Sequence, residues 1–207
     1  MKKICLLIAC LSLCAGLAAQ TIKLPEPKKD ATMTLYQALQ QRASVRDFQK
    51  KEVSDQTLSD LLWAAVGINR EDGRLTAPTA MNTQEVRLYV CKAEGCYEYV
   101  AKDNSLVKLS DKDVRKDIAG RQGSVADAPV FLVIVSDLTK YRFQDAKTAQ
   151  FGAIDCGYVS QNICLACEAL GLATVPRAGM DEAVLTKEFG LKEGQVLLIN
   201  HPVGYEK

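Results

Sequence analysis

The chain has 207 residues, 48% of them hydrophobic and 25% charged, with a formal net charge of +1. That length and composition support one sizeable core in a single domain. The balanced charge, with no basic run, excludes nucleic acid as a main partner, and no internal repeat or low-complexity tract is present.

Residues 1–19 differ from the rest. Lys2 and Lys3 precede an apolar run over residues 4–17, which closes in small residues up to Ala19. A basic start, a short apolar run and a small-residue exit predict a secretory signal peptide cleaved near Ala18 or Ala19. The run is too short to stay in a bilayer as a permanent span. Export to the periplasm is therefore the expectation. Cys10 and Cys14 also lie in apolar surroundings, so lipidation is the alternative, and a membrane is a partner only in that case. Five of the eight cysteines follow the signal: Cys91, Cys96, Cys156, Cys164 and Cys167. An exported chain permits disulfides, but an odd count leaves a thiol over.

Residues 20–33 are polar, with Pro25 and Pro27, and read as a linker to a domain over 34–207. Thr34 is the expected cap of a helix to about Gln41. Ser54 caps a second helix, with Leu58, Leu61, Leu62, Ala65 and Val66 at helical spacing and Gly67 at its end. A long loop over 69–83 leads to an alternating strand at 86–90. Glu94-Gly95 turns into a partner at 97–100, and 106–109 adds a short third segment. Ser110 or Asp111 is the expected cap of a polar helix to about Ala119. Residues 130–135 form a continuous apolar run, the pattern of a strand covered on both faces. A long helical pattern runs from Lys140 to Leu170, apolar on most sides over 154–170, and Gly171 ends it. A short strand at 172–175, a helix from Asp181 to Phe189 and a last strand at 196–200 complete the chain. No βαβ rhythm and no G-x-G-x-x-G follow from this order, so the fold class is α+β.

Candidates for chemistry are few. His201 is the only histidine, so no histidine-rich metal site is available. Cys164 and Cys167 form C-x-x-C inside an apolar helix, away from the helix N-terminus, and read as core rather than redox or zinc ligands. Cys91 and Cys96 flank the hairpin turn, either as a disulfide or as two separate thiols. No serine sits in a nucleophile elbow. With no acid–base team visible, a bound cofactor is the expected source of reactivity, and no side chain is assigned a catalytic role. Arg42-Ala-Ser-Val-Arg46 is the one anion-binding pattern. In an extended chain Arg42, Ser44 and Arg46 share a face, and two guanidiniums with a hydroxyl suit a phosphate. Alone, the same pattern is a solvated surface turn.

Four stretches in order resemble the nitroreductase family of FMN-dependent oxidoreductases. They are Arg42-Ala-Ser-Val-Arg46, Ala77-Pro-Thr-Ala-Met-Asn-Thr-Gln84, Gly157-Tyr-Val-Ser-Gln-Asn-Ile-Cys-Leu-Ala166 with its exit to Leu172, and Val175-Pro-Arg-Ala-Gly-Met-Asp181. The resemblance covers residues 35–205. It implies that Arg42, Ala43, Ser44 and Arg46 hold the FMN phosphate, that Asn82 and Gln84 meet the flavin ring, and that Ala178 and Gly179 lie beside flavin N5. Arg177, next to these, would favour an anionic ring or substrate, or face solvent. It also implies a central antiparallel or mixed sheet flanked by helices, in a homodimer with the long helix buried at the interface. The implied reaction is ping-pong: hydride from NAD(P)H passes through flavin N5 to a small acceptor such as a nitroaromatic or quinone. Relatives often carry a C-terminal extension with a further basic residue for the phosphate; here the chain stops at Lys207, the one candidate for that place. An exported enzyme meets little reduced nicotinamide, so the alternative is an exported flavin-binding protein without nicotinamide turnover, serving as sensor, carrier or electron-transfer partner.

Overall fold

A computed structural model describes residues 20–207; the expected signal peptide at 1–19 lies outside the described residues. Seven strands make one sheet in the order β1-β4-β3-β2-β5-β7-β6, every neighbouring pair antiparallel. They are β1 (Thr21–Lys23), β2 (Val86–Lys92), β3 (Gly95–Val100), β4 (Ser105–Ser110), β5 (Val130–Asp137), β6 (Ala173–Thr174) and β7 (Gln195–Gly204). The helices are α1 (Leu35–Gln41), α2 (Asp55–Val66), α3 (Arg115–Ala119), α4 (Ala146–Ala169) and α5 (Glu182–Phe189).

The period of two in β5 divides the core. Val130, Leu132 and Ile134 pack on one side with α2 and α4, through Leu58, Leu61, Leu62, Cys156, Val159 and Ile163. Phe131, Val133 and Val135 pack on the other with α3 and α5, through Ile118, Leu185 and Phe189. All eight residues of β5 are buried, as the unbroken apolar run requires of a strand covered on both faces. The α+β expectation holds, with a purely antiparallel sheet.

Local signals placed most boundaries. Thr34 and Gln37 form a capping box on α1, Ser54 Oγ accepts from the Thr57 N–H at the start of α2, and Asp181 caps α5. Three expectations need correction. Residues 21–23, expected to be linker, form β1, with Ile22 opposite Leu106 and Leu24 buried behind it. A long-range strand partner outweighs the polar, proline-containing neighbourhood. Ser110 does not cap α3: cross-strand pairing with Cys96 keeps it in β4, and its hydroxyl donates to Glu188 at 2.6 Å. The long helix starts at Ala146, because Asp145 and Thr148 form a capping box there, and Lys140 belongs to a separate 3-10 turn.

Cys91 and Cys96 are direct cross-strand partners on β2 and β3, and both are buried free thiols. Cys164 and Cys167 are buried in α4, in keeping with a packing role.

Candidate functional site

α1 ends at Arg42, whose N–H bonds the Ala38 carbonyl before the backbone turns extended at φ −48, ψ 119. The extended segment that follows lies beside the sheet edge, where the Val45 N–H donates to the Thr174 carbonyl of β6 at 3.1 Å. Alternation then sorts the side chains. Ala43 and Val45 line a hollow of about 270 Å³ with Cys164 and Cys167 of α4, while Arg46 lines a separate, larger cleft; Arg42 and Ser44 line neither.

The larger cleft has a volume of about 940 Å³. Arg46, Arg121 and the 175–182 segment form its walls. It therefore brings Arg46 together with Ala178 and Gly179, 132 residues away in sequence. Among the described residues, neither Arg46 nor Arg121 forms an ion pair. Arg46 makes one long bond of 3.4 Å to the Ser44 carbonyl. Gly179 has no positive φ, and a Cβ built on it meets nothing within 4 Å. The fold itself does not need glycine there, which leaves close approach by something outside the chain as a physical use for it.

Arg177 neither faces solvent freely nor offers itself to an anion. Its guanidinium donates to the carbonyls of Ile118 and Ala119 at the end of α3, to Asn200 Oδ1 and to Gln122 Oε1. A cation on terminal helix carbonyls is favourable, and it ties α3 to the cleft wall. Asn200 completes the clamp. Its backbone exchanges both hydrogen bonds with Arg177, and its Nδ2 donates to the Gly179 carbonyl at 3.0 Å. Sequence reasoning missed Asn200; a single polar residue ending an apolar strand was the signal available.

The C-terminus runs antiparallel to the arginine segment. Phe48 bridges Glu206, the Gln49 N–H donates to the Tyr205 carbonyl, and Lys207 Nζ lies 3.8 Å from Asp47 Oδ1. The terminal lysine thus pairs with the residue next to Arg46 and lines no part of the large cleft.

Asn82 and Gln84 lie elsewhere and line no part of the large cleft. They belong to a loop over 79–84 in which Met81, Asn82 and Gln84 all hold left-handed φ values of 56°, 55° and 50°. Three such residues without glycine store backbone strain that neighbours must hold in place. The Ala80 N–H donates to Asp155 Oδ2 at 2.8 Å, the Gln84 N–H to Thr79 Oγ1 at 2.9 Å, and Lys140 Nζ to the Gln84 carbonyl at 2.6 Å. Asp155, which holds this loop, precedes Cys164 by nine residues on α4. At 1.5 Å per residue that sets the loop about 14 Å from the hollow beside Val45.

Two buried polar clusters flank the sheet along α4. His201 is fully buried between Ser160 Oγ, 2.8 Å from Nε2, and Thr174 Oγ1, 3.1 Å from Nδ1. Burial lowers its pKa to about 3, so the ring is neutral, with one donor and one acceptor, and hydroxyls suit both. Thr174 also carries the carbonyl that receives Val45, so this cluster supports the arginine segment. Glu85 is the opposite case. It is fully buried, and neither carboxylate oxygen finds a donor. Burial pushes its pKa up to about 7; the Asp155 carboxyl adds to the rise, and its own backbone and the Tyr141 hydroxyl oppose it. Asp155 accepts from Ala80 and, at 3.3 Å, from the Tyr141 hydroxyl, which burial keeps well above its ordinary pKa. Ser136 Oγ, also without a partner, is pressed against Gly152 of α4.

Comparison with known proteins gives the family. The family model described as Nitroreductase family matches residues 39–205, and the chain belongs to that family. It is an oxidoreductase. A Methanocaldococcus jannaschii protein named "Putative nitroreductase MJ1384" is 29% identical over 193 residues, covering 88% of this chain and 95% of the relative. A crystal structure under the same description, from Ralstonia eutropha JMP134, has 30% identity and a TM-score of 0.84, covering 93% and 92% of the two chains. An NADPH-flavin oxidoreductase of Vibrio harveyi is 28% identical over 113 residues, 49% of this chain and 47% of that one. Members of the family generally use FMN with an NAD(P)H donor.

Proposed function

We propose that this protein is an FMN-dependent oxidoreductase that passes hydride from NAD(P)H to a small acceptor such as a nitroaromatic or a quinone, in ping-pong fashion. The observation that carries the reading is the cleft of about 940 Å³ that joins Arg46 to Ala178 and Gly179. Its unpaired arginines and its unforced glycine fit an anionic, flat cofactor that approaches backbone closely. Arg46 would hold the phosphate and Ala178 and Gly179 would present backbone to the flavin ring; Arg42, Ala43, Ser44 and Lys207 lie nearby but line no part of that cleft. When bound, FMN supplies the redox chemistry, accepting hydride at N5 and releasing it to the acceptor. Arg177 and Asn200 keep the 175–179 wall in place, and no titrating side chain is needed at the ring.

The Asn82–Gln84 loop joins this site through a second copy of the chain. Leu35, Tyr36 and Leu39 of α1, Ile154 and Tyr158 of α4, and Met81 are large apolar residues left exposed. Gly157 lies on the same stretch of α4, and a Cβ there meets nothing within the chain. A helix glycine without an internal reason and a run of exposed apolar side chains both support a two-fold interface. Met81 then brings the neighbouring Asn82 and Gln84 to the partner's cleft. The basic and apolar pattern of residues 1–19 supports export to the periplasm.

Purified protein tests the cofactor reading directly. It is expected to be yellow, to release FMN on denaturation and to rebind it. Arg46→Ala is expected to weaken FMN roughly 10- to 100-fold in a fluorescence titration, the loss of one charge-assisted contact of about 1.5–3 kcal/mol. Colourless protein that takes up no added FMN would overturn the reading, as would an unchanged affinity in Arg46→Ala.

A further inference from the structure

Cys91 of β2 and Cys96 of β3 stand directly opposite each other in an antiparallel pair, so their side chains share one face of the sheet. Both lie fully buried in the same core, on the side of α3 and α5. The turn between them fixes how close they come. Lys92 pairs with Gly95, and only Ala93 and Glu94 separate these two. Adjacent residues do not hydrogen-bond to each other, so Lys92 and Gly95 exchange the closing bonds of the hairpin. Cys91 and Cys96 are then the next pair, the kind without backbone hydrogen bonds. Opposed α-carbons in such a pair stand about 4.5 Å apart, inside the span of about 4.4–6.8 Å that a disulfide takes. The Cys96 sulfur lies 3.6 Å from the Lys112 carbonyl and is the side-chain hydrogen-bond neighbour of Cys91.

We propose that Cys91 and Cys96 are a disulfide site, closed across the β2–β3 hairpin by thiol–disulfide exchange while the chain folds. The oxidant is itself a disulfide, of a small thiol or of a protein. One cysteine thiolate attacks it, forming a mixed disulfide and expelling one thiolate. The second cysteine thiolate then attacks the sulfur of the first, forming the protein bond and expelling the other half of the oxidant. Two protein thiols lose two electrons and two protons, and the oxidant becomes two thiols. An oxidising setting rests on the export reading above; the geometry of the site does not, and neither depends on a flavin.

Burial sets the timing. In the folded chain neither cysteine is exposed, and burial first, then the neighbouring Cys96, hold the Cys91 thiol well above its ordinary pKa. A thiol that is neither ionised nor reachable does not exchange. The stretch from Cys91 to Cys96 is local, and a hairpin forms on its own before a long-range core closes over it. The same burial then shields the finished bond from reductants. The other described cysteines do not compete. Cys156 packs on the opposite side of the sheet, with α2. Cys164 and Cys167 stand three residues apart on α4. Helix geometry keeps such β-carbons about 5–6 Å apart, beyond the roughly 3.5–4.5 Å that a disulfide needs. The odd count thus resolves into one bond and three core thiols.

The test refolds the full-length chain from denaturant in a mixture of oxidised and reduced glutathione, alkylates the remaining thiols in denaturant and maps the tryptic peptides. Cleavage after Lys92 puts Cys91 and Cys96 on separate peptides, so the bond shows as a linked pair. The expected result is loss of alkylation at both positions, the linked peptides, and a circular dichroism spectrum equal to that of protein refolded with reductant. Protein first folded with reductant and then moved to the same mixture is expected to keep both thiols. Cys91 and Cys96 alkylated after oxidative refolding, or either one bonded elsewhere, would overturn the site. So would a bridged chain that does not regain the reduced protein's spectrum. A bond that closes as fast in the folded protein overturns the timing. A bond that forms on refolding but is missing from protein isolated from its cells supports the site and sinks the export reading.

Discussion

The two buried polar clusters stand five residues apart on α4 and are built in opposite ways. Ser160, His201 and Thr174 pair every ring nitrogen with a hydroxyl, and a neutral imidazole suits both partners. Glu85, Asp155 and Ser136 leave three side-chain oxygens without a donor. Buried polar groups that are fully paired specify a rigid arrangement, whereas unpaired ones make stability depend on protonation. The first cluster supports the arginine segment through Thr174 and Val45. The second supports the strained loop with Asn82 and Gln84.

Breaking the paired cluster should cost most. His201→Leu leaves the hydroxyls of Ser160 and Thr174 buried without partners and should lower stability by about 3 kcal/mol in denaturant unfolding at neutral pH. Next comes the unpaired cluster. Glu85 ionises near 4.5 when unfolded and near 7 when folded, so the folded state holds the extra proton between those values. Its contribution falls as pH rises through that window, by up to about 3 kcal/mol, and Glu85→Gln should recover most of it above pH 7.

The comparison sharpens in the overlap of the two windows. The folded-state pKa of His201 is depressed from 6.5 to about 3, so its contribution is complete above 6.5 and is lost as pH falls. Between 4.5 and 6.5 the two groups tilt stability in opposite senses, each by about 1.4 kcal/mol per pH unit. These two contributions nearly cancel in the wild type. Glu85→Gln should then show stability rising with pH, and His201→Leu stability falling with pH, in unfolding curves at several pH values. Equal slopes in the two variants would contradict the contrast. The smallest effect concerns the stretch between the clusters. Gly157→Ala should gain up to about 1 kcal/mol of helix stability within a chain, yet weaken self-association by sedimentation if the exposed α4 face packs closely on a partner.

What was legible in the sequence followed locality. α2 was readable from Ser54 to Gly67 because cap, periodicity and stop all lie within one stretch, and β5 because its run is apolar at every position. β1 was not, since its partner Val107 is 86 residues from Thr21 and three residues carry too little pattern. The start of α4 was misplaced because helical spacing continues through Lys140, while the Asp145–Thr148 box that sets it resembles ordinary polar loop. At the site, Arg42–Arg46 and Ala178-Gly179 were visible as motifs, and the structure brings Arg46 to Ala178 and Gly179. Glu85, Asp155 and Asn200 were not, because a lone acid or amide in sequence resembles a solvated residue until packing buries it. Arg177 failed for the same reason: its partners are backbone carbonyls of α3, which no side-chain pattern announces.

Whether this fold holds a flavin reducible by nicotinamide is decided by one anaerobic absorption spectrum. Protein reconstituted with FMN is expected to lose its visible flavin bands on adding NADH or NADPH, and to regain them when a quinone or nitroaromatic follows. Flavin that stays oxidised with both nucleotides would contradict the claim and leave a flavin-binding protein without nicotinamide turnover.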